Sequence, residues 1–243
     1  MRQSIVVFFS LILLSCSNDD DNSMPSNVLA EYLMGQVIET GAVIACAASE
    51  ENTNNILAYY FPRAGATSIR FYETETASVD KLDYTKYKEI ALESEPFFNG
   101  SLGKFTREAS VEKWIIITYE LNNEIKVSNP IRTKQIQKPT VWNDEVTIDQ
   151  TNPLMPIFNW ELNAVADNAI YFQVISSINN DLISGTYTLE NTFQFYNLSN
   201  VVLNITDGVP QLENTTDYNF TLMDVSLDNW VNIITIDKKF TTQ

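Results

Sequence analysis

Short runs of β-branched and aromatic residues, separated by polar turn formers, constrain this chain more than any other feature. Residues 56–61, 67–74, 87–92 and 114–121 are such runs, and so are 157–162, 170–176, 185–189, 192–196, 201–205, 218–225 and 230–236. Side chains of this kind fit a pleated, half-buried surface, and runs this short at regular spacing predict strands rather than helices. Only seven glycines and eight prolines punctuate 243 residues. Asn and Asp therefore take over the turns, as in Asn122-Asn123, Asn179-Asn180-Asp181 and Asp228-Asn229. The pattern predicts an all-β chain built from sandwiches.

A polar stretch ending in proline, Lys134-Gln135-Ile136-Gln137-Lys138-Pro139-Thr140, divides the strands into two sets of similar length. The expected domains are 28–138 and 139–243, two β-sandwiches in tandem, each with its own core, so that the second half is expected to fold alone. Near the start, Leu29, Leu33, Gln36 and Val37 suit a short helix, while residues 37–48 equally suit an opening strand. Gly100-Ser101-Leu102-Gly103 reads as a hairpin turn rather than a phosphate-cradling loop.

Phe158-Asn159-Trp160, followed by Leu212 and Tyr218 six residues apart and then the alternating Tyr218-Asn219-Phe220-Thr221-Leu222, resembles the fibronectin type III module. The resemblance covers about 100 residues and implies an immunoglobulin-like sandwich with Trp160 in its core. It also implies that Tyr218 packs at the sandwich corner and bonds its hydroxyl to the preceding loop. The first half shares a late hairpin, residues 113–121 turning at Asn122-Asn123 into 124–127. Trp114 stands there where the family has a tyrosine, which leaves another immunoglobulin-like subtype open.

The N-terminus has Arg2 followed by apolar runs at 5–9 and 11–14. That length suits a signal-peptide core and is about half of what a membrane-spanning helix requires. Leu13-Leu14-Ser15-Cys16 resembles the bacterial lipobox. The resemblance implies a signal peptide at 1–15 and lipidation of Cys16, whose multiple acyl chains hold the chain on a membrane. Ser17, Asn18, Asp19, Asp20 and Asp21 resemble the export tag of surface lipoproteins of the Bacteroidetes. The expected location is the outer membrane, facing the cell surface, with a periplasm-facing anchor as the alternative. Residues 16–27 form an acidic tether, and its eleven residues after Cys16 reach roughly 18 Å as a flexible coil.

Removing Arg2 leaves 14 of the 15 basic residues against 31 acidic ones, a net of −17. Nucleic-acid partners, which need Lys and Arg clusters, are not expected. The absence of histidine removes Ser-His and Cys-His catalysis and the commonest transition-metal ligand. No metal or cofactor is expected, and Asp19, Asp20 and Asp21 lack the spacing and glycine of a calcium loop. With Cys16 lipidated, Cys46 is left alone among apolar neighbours and reads as a small buried hydrophobe in a strand. Recognition is then the expected activity: a non-catalytic surface lipoprotein that binds or presents a glycan or an outer-membrane protein partner. The alternatives are a carboxylate-dependent glycan hydrolase and a structural spacer. The first candidate for a binding site is Asp228, Asn229 and Trp230, a hairpin tip where a tryptophan ring sits beside polar neighbours.

Overall fold

The computed structural model describes residues 27–161 and 167–243. The expected lipidation site Cys16 and tag residues Ser17, Asn18, Asp19, Asp20 and Asp21 lie outside them. The chain is nearly all β. The described part begins with one turn of helix, α1 (Leu29–Tyr32), and then a strand that breaks at Ile44 into β1 (Ile38–Val43) and β2 (Ala45–Ser49). Both readings of the opening segment thus hold in succession. The first half continues with β3 (Asn55–Tyr60), β4 (Thr67–Glu73), β5 (Lys88–Ile90), β6 (Glu95–Phe97), β7 (Leu102–Glu108), β8 (Trp114–Leu121), β9 (Glu124–Ser128) and β10 (Ile131–Arg132). The second half has β11 (Val141–Trp142), β12 (Val146–Asp149), β13 (Ile157–Trp160), β14 (Asn168–Ser177), β15 (Leu182–Thr188) and β16 (Thr192–Gln194). It ends with β17 (Val201–Asn204), β18 (Asp217–Ser226) and β19 (Val231–Thr241).

One topology is used twice. In the first half, β1-β9-β8-β4-β5 form one sheet, joined by β10 on β8, and β2-β3-β7-β6 the other. In the second, β11-β19-β18-β14-β15-β17 face β12-β13-β16. Each half opens with a strand parallel to its last long strand (β1 on β9, β11 on β19), then crosses to the opposite sheet and pairs antiparallel. These are two sandwiches of immunoglobulin-like connectivity.

Period-2 alternation assigns each strand's side chains to two faces, and in this protein both faces of the central strands are covered. On β3, Ile56, Ala58 and Tyr60 enter the first sandwich core with Phe71, Phe105 and Ile117. The intervening Leu57 and Tyr59 point the other way, onto Phe172, Val174, Met223 and Val225 of the second half. On β14 and β18, Tyr171, Ile175, Phe220 and Leu222 in turn enter the second core with Phe158 and Trp160. The two sandwiches therefore stack sheet on sheet, four layers deep, and share a third apolar core between them. The outermost face of the first sandwich is covered too, by Leu29 and Leu33 of the opening turn packed with Tyr72, Tyr87, Trp114 and Ile116.

Each half thus has a core of its own, as expected, and a shared core besides, which bears on whether the second half folds alone. The strands divide between the halves near residue 139, but residues 139–243 would leave one whole face of the β14-β18-β19 sheet without its cover. The segment between the halves is clamped as well: Lys134 Nζ lies 3.1 Å from Asp167 and 2.9 Å from Asp228, and Lys138 Nζ lies 2.7 Å from Asp167. Ser49 and Thr140 exchange two hydrogen bonds across the junction, each backbone N–H donating to the other's hydroxyl at 2.8 and 2.7 Å.

Candidate functional site

Of the expected hairpin-tip site, Asp228 and Asn229 are half-buried and Trp230 does not face solvent. Trp230 is fully buried, 0 % exposed, and it sits in the core of the first sandwich although it belongs to the second. Its indole N–H donates to the Lys138 carbonyl at 2.9 Å, and it forms a parallel bridge with Ala47 of β2. Asp228 is taken up by Lys134, and its carbonyl accepts from Arg132 N at 3.0 Å. The Asn229 carbonyl accepts from Ala47 N at 3.0 Å, and its side-chain amide donates to Pro130 O at 3.2 Å. The tip is thus a plug between the halves. The physical reason is reach: a tryptophan after a tight turn can bury its large ring in whatever core lies against the turn, and here that core comes from the first half, Val43 to Ile131.

Beside the plug lies a cleft of about 310 Å³ at the junction of the two sandwiches. One wall is the break between β1 and β2, residues 43–46, where the chain crosses from one sheet to the other. The facing wall is Ile170, Phe172, Tyr187, Leu203, Met223 and Val225 on the second half. Asn229 is also in the lining, so one residue of the expected site does line a cavity, though not in the expected way. Leu203, on the edge strand β17, lines the cleft while 43 % exposed, which places it at the mouth.

Strand register organises the interior. Cys46 lies directly opposite Tyr59 across β2 and β3. On the facing sheet, Phe172 lies opposite Met223 on one side and Tyr187 on the other. The Tyr187 ring stacks on Phe172 with centroids 4.5 Å apart, and Tyr59 packs against Phe97 at 5.0 Å. The Cys46 thiol meets the Met223 thioether at 4.0 Å, joining the two rows across the cleft.

Burial governs the electrostatics. It pushes the Cys46 thiol up to about 12, so the thiol stays protonated at neutral pH and is a poor nucleophile. Desolvation likewise raises the Tyr59 and Tyr187 hydroxyls, each further raised by the nearby Cys46 sulfur. Neither hydroxyl has a hydrogen-bond partner among the described residues. Tyr60, whose side chain turns toward the first core, differs in that its hydroxyl is bonded to Ser94 at 2.6 Å. Among the described residues, no charged side chain lines the cleft.

The sequence placed Cys46, Tyr59 and Tyr187 in or beside strands, but it gave no sign that they meet, because their contact exists only once the two sandwiches are stacked. Among the described residues, no helix is long and apolar enough to cross a membrane. No protein-family model matches the chain, and no curated protein matches it either.

Proposed function

We propose that this protein is a non-catalytic, membrane-anchored binding protein whose ligand sits in the cleft between its two sandwiches. The cleft carries the reading. It is concave and mostly apolar, it lies at a junction between two folded units, and it offers a few convergent polar groups, which is the usual form of a small-molecule site. The buried tip at Trp230 weakens the case for glycan stacking there and moves the site to the cleft.

A neutral apolar fluorophore, Nile red, should shift to the blue on mixing with the mature chain. Leu203→Trp, placed at the mouth where little packing is lost, should abolish the shift and leave the melting temperature unchanged. A shift that persists in that variant would put the dye elsewhere and overturn the cleft as the site.

The anchor belongs to the same proposal and rests on the lipobox-like residues 13–16. Cys16→Ala should lose palmitate labelling and detergent-phase partitioning. Surface display rests on Asp19, Asp20 and Asp21: replacing all three with Ala should protect the protein from protease added to intact cells while it stays in the membrane. Kinship of the second half with fibronectin type III modules is likewise proposed. It is supported by Trp160 in the core and by the Tyr218 hydroxyl, which accepts from Glu213 N at 2.9 Å.

A further inference from the structure

The donors in the cleft say what kind of ligand it takes, granted that the cleft is the binding site. Six of its side chains carry a polar hydrogen: Tyr60 is bonded to Ser94, the Asn229 amide donates to Pro130 O and Asn129 is exposed, which leaves Cys46, Tyr59 and Tyr187. The thiol is a weak donor and already has the Met223 sulfur at 4.0 Å. The two phenolic hydrogens have no acceptor among the described residues, and Tyr59 is only 4 % exposed. Tyr59 is buried and Tyr187 half-buried, and a ligand that fills the cleft strips water from both hydroxyls, so each would gain from an acceptor on that ligand. Cys46, Tyr59 and Tyr187 all line the same cleft, and Cys46 lies directly opposite Tyr59 across β2 and β3.

The rest of the lining restricts the ligand further. Without a charged side chain in the lining, an ionic ligand would lose its hydration and find no counter-charge. Anions are also repelled by the net charge of the chain and by Glu50, which acts on Tyr59. A ligand offering only donors would leave both phenolic hydrogens unplaced. We infer that the cleft holds a neutral, largely apolar molecule bearing a hydrogen-bond acceptor such as a carbonyl oxygen, to which Tyr59 and Tyr187 donate.

The test compares 2-acetylnaphthalene with 2-ethylnaphthalene, two probes of the same ring system that differ in the acceptor, each titrated against the intact mature chain. The ketone should bind about tenfold more tightly than the hydrocarbon. Tyr187→Phe and Tyr59→Phe keep both rings and their packing, so each should erase most of that preference without changing the affinity for 2-ethylnaphthalene. The anion 2-naphthoate should bind more weakly than the ketone. If both probes bind equally in the wild type and are excluded by Leu203→Trp, the cleft stands as the site and the donor assignment is wrong. If neither binds, or if Leu203→Trp excludes neither, the cleft itself is not the site and the inference falls with it.

Discussion

Replacing Trp230 with alanine tests the stacking of the two sandwiches. The ring is wholly buried in the first sandwich core yet tethered to the second half through the β18-β19 turn. Removing a buried tryptophan costs about 3–5 kcal/mol in lost transfer energy and cavity formation. The Lys138 carbonyl also loses the indole N–H that donates to it at 2.9 Å, and an orphaned buried acceptor adds about 1 kcal/mol or more. The expected loss is therefore about 4–6 kcal/mol, a large share of the stability of an ordinary domain. For a chain of this size it corresponds to a fall in Tm of the order of 10–20 °C. Chemical denaturation followed by tryptophan fluorescence and by far-ultraviolet circular dichroism measures it. In the variant the two halves should also begin to unfold at separate midpoints, because the plug no longer ties them. A loss below about 1 kcal/mol with a single unchanged transition would show that the ring is not a structural bolt, and the exposed-tip reading would return.

Residues 139–243 made alone should bind an apolar dye and self-associate through the uncovered face of Phe172, Val174, Met223 and Val225, and a monomeric fragment that melts cooperatively and binds no dye would refute the shared core. At Gly103 a Cβ would lie 2.1 Å from the Tyr60 ring, so Gly103→Ala should cost about 1–3 kcal/mol by denaturant titration; a neutral result would mean that the ring can move aside freely. Asp224 is 2 % exposed, and burial pushes its carboxyl above the ordinary Asp value against the amides of Asn168 and Asn232. The folded state then holds that proton more tightly than the unfolded chain, so this contribution to stability is present at low pH and declines as pH rises from the ordinary Asp range through the raised value. Asp224→Asn should flatten that part of the Tm-against-pH curve, and an unaltered curve would show that the carboxyl is not the group responsible.

Much of the fold is legible in local pattern. The run at 114–121 coincides with β8, and the Asn122-Asn123 turn does lead into β9, with both asparagines at positive φ. Strand β7, by contrast, is masked in the sequence by Lys104, Arg107 and Glu108. Two of these charges are held across strands: Arg107 by Glu73 at 3.1 Å and Lys104 by Glu95 at 3.1 Å. Strands β11 and β12 are too short to announce themselves, and only pairing with β19 and β13 defines them.

Alternation and turn chemistry by themselves determined that the chain is all β and where many of its strands lie, but not that Trp230 would be buried. They could not determine what covers each strand face. A run such as residues 170–175, apolar but for Gln173, says that both faces are buried, but covering residues such as Ala48, Leu57 and Tyr59 lie more than 100 positions away, and no local pattern encodes their position. Tertiary structure alone decided that the two sandwiches stack, that Trp230 of one half fills the core of the other, and that Cys46, Tyr59 and Tyr187 converge on one cleft. Sheet-on-sheet burial is driven by apolar area, which is non-directional; the partner is selected by shape and by the few directed bonds at the junction, at Ser49, Thr140 and Lys138.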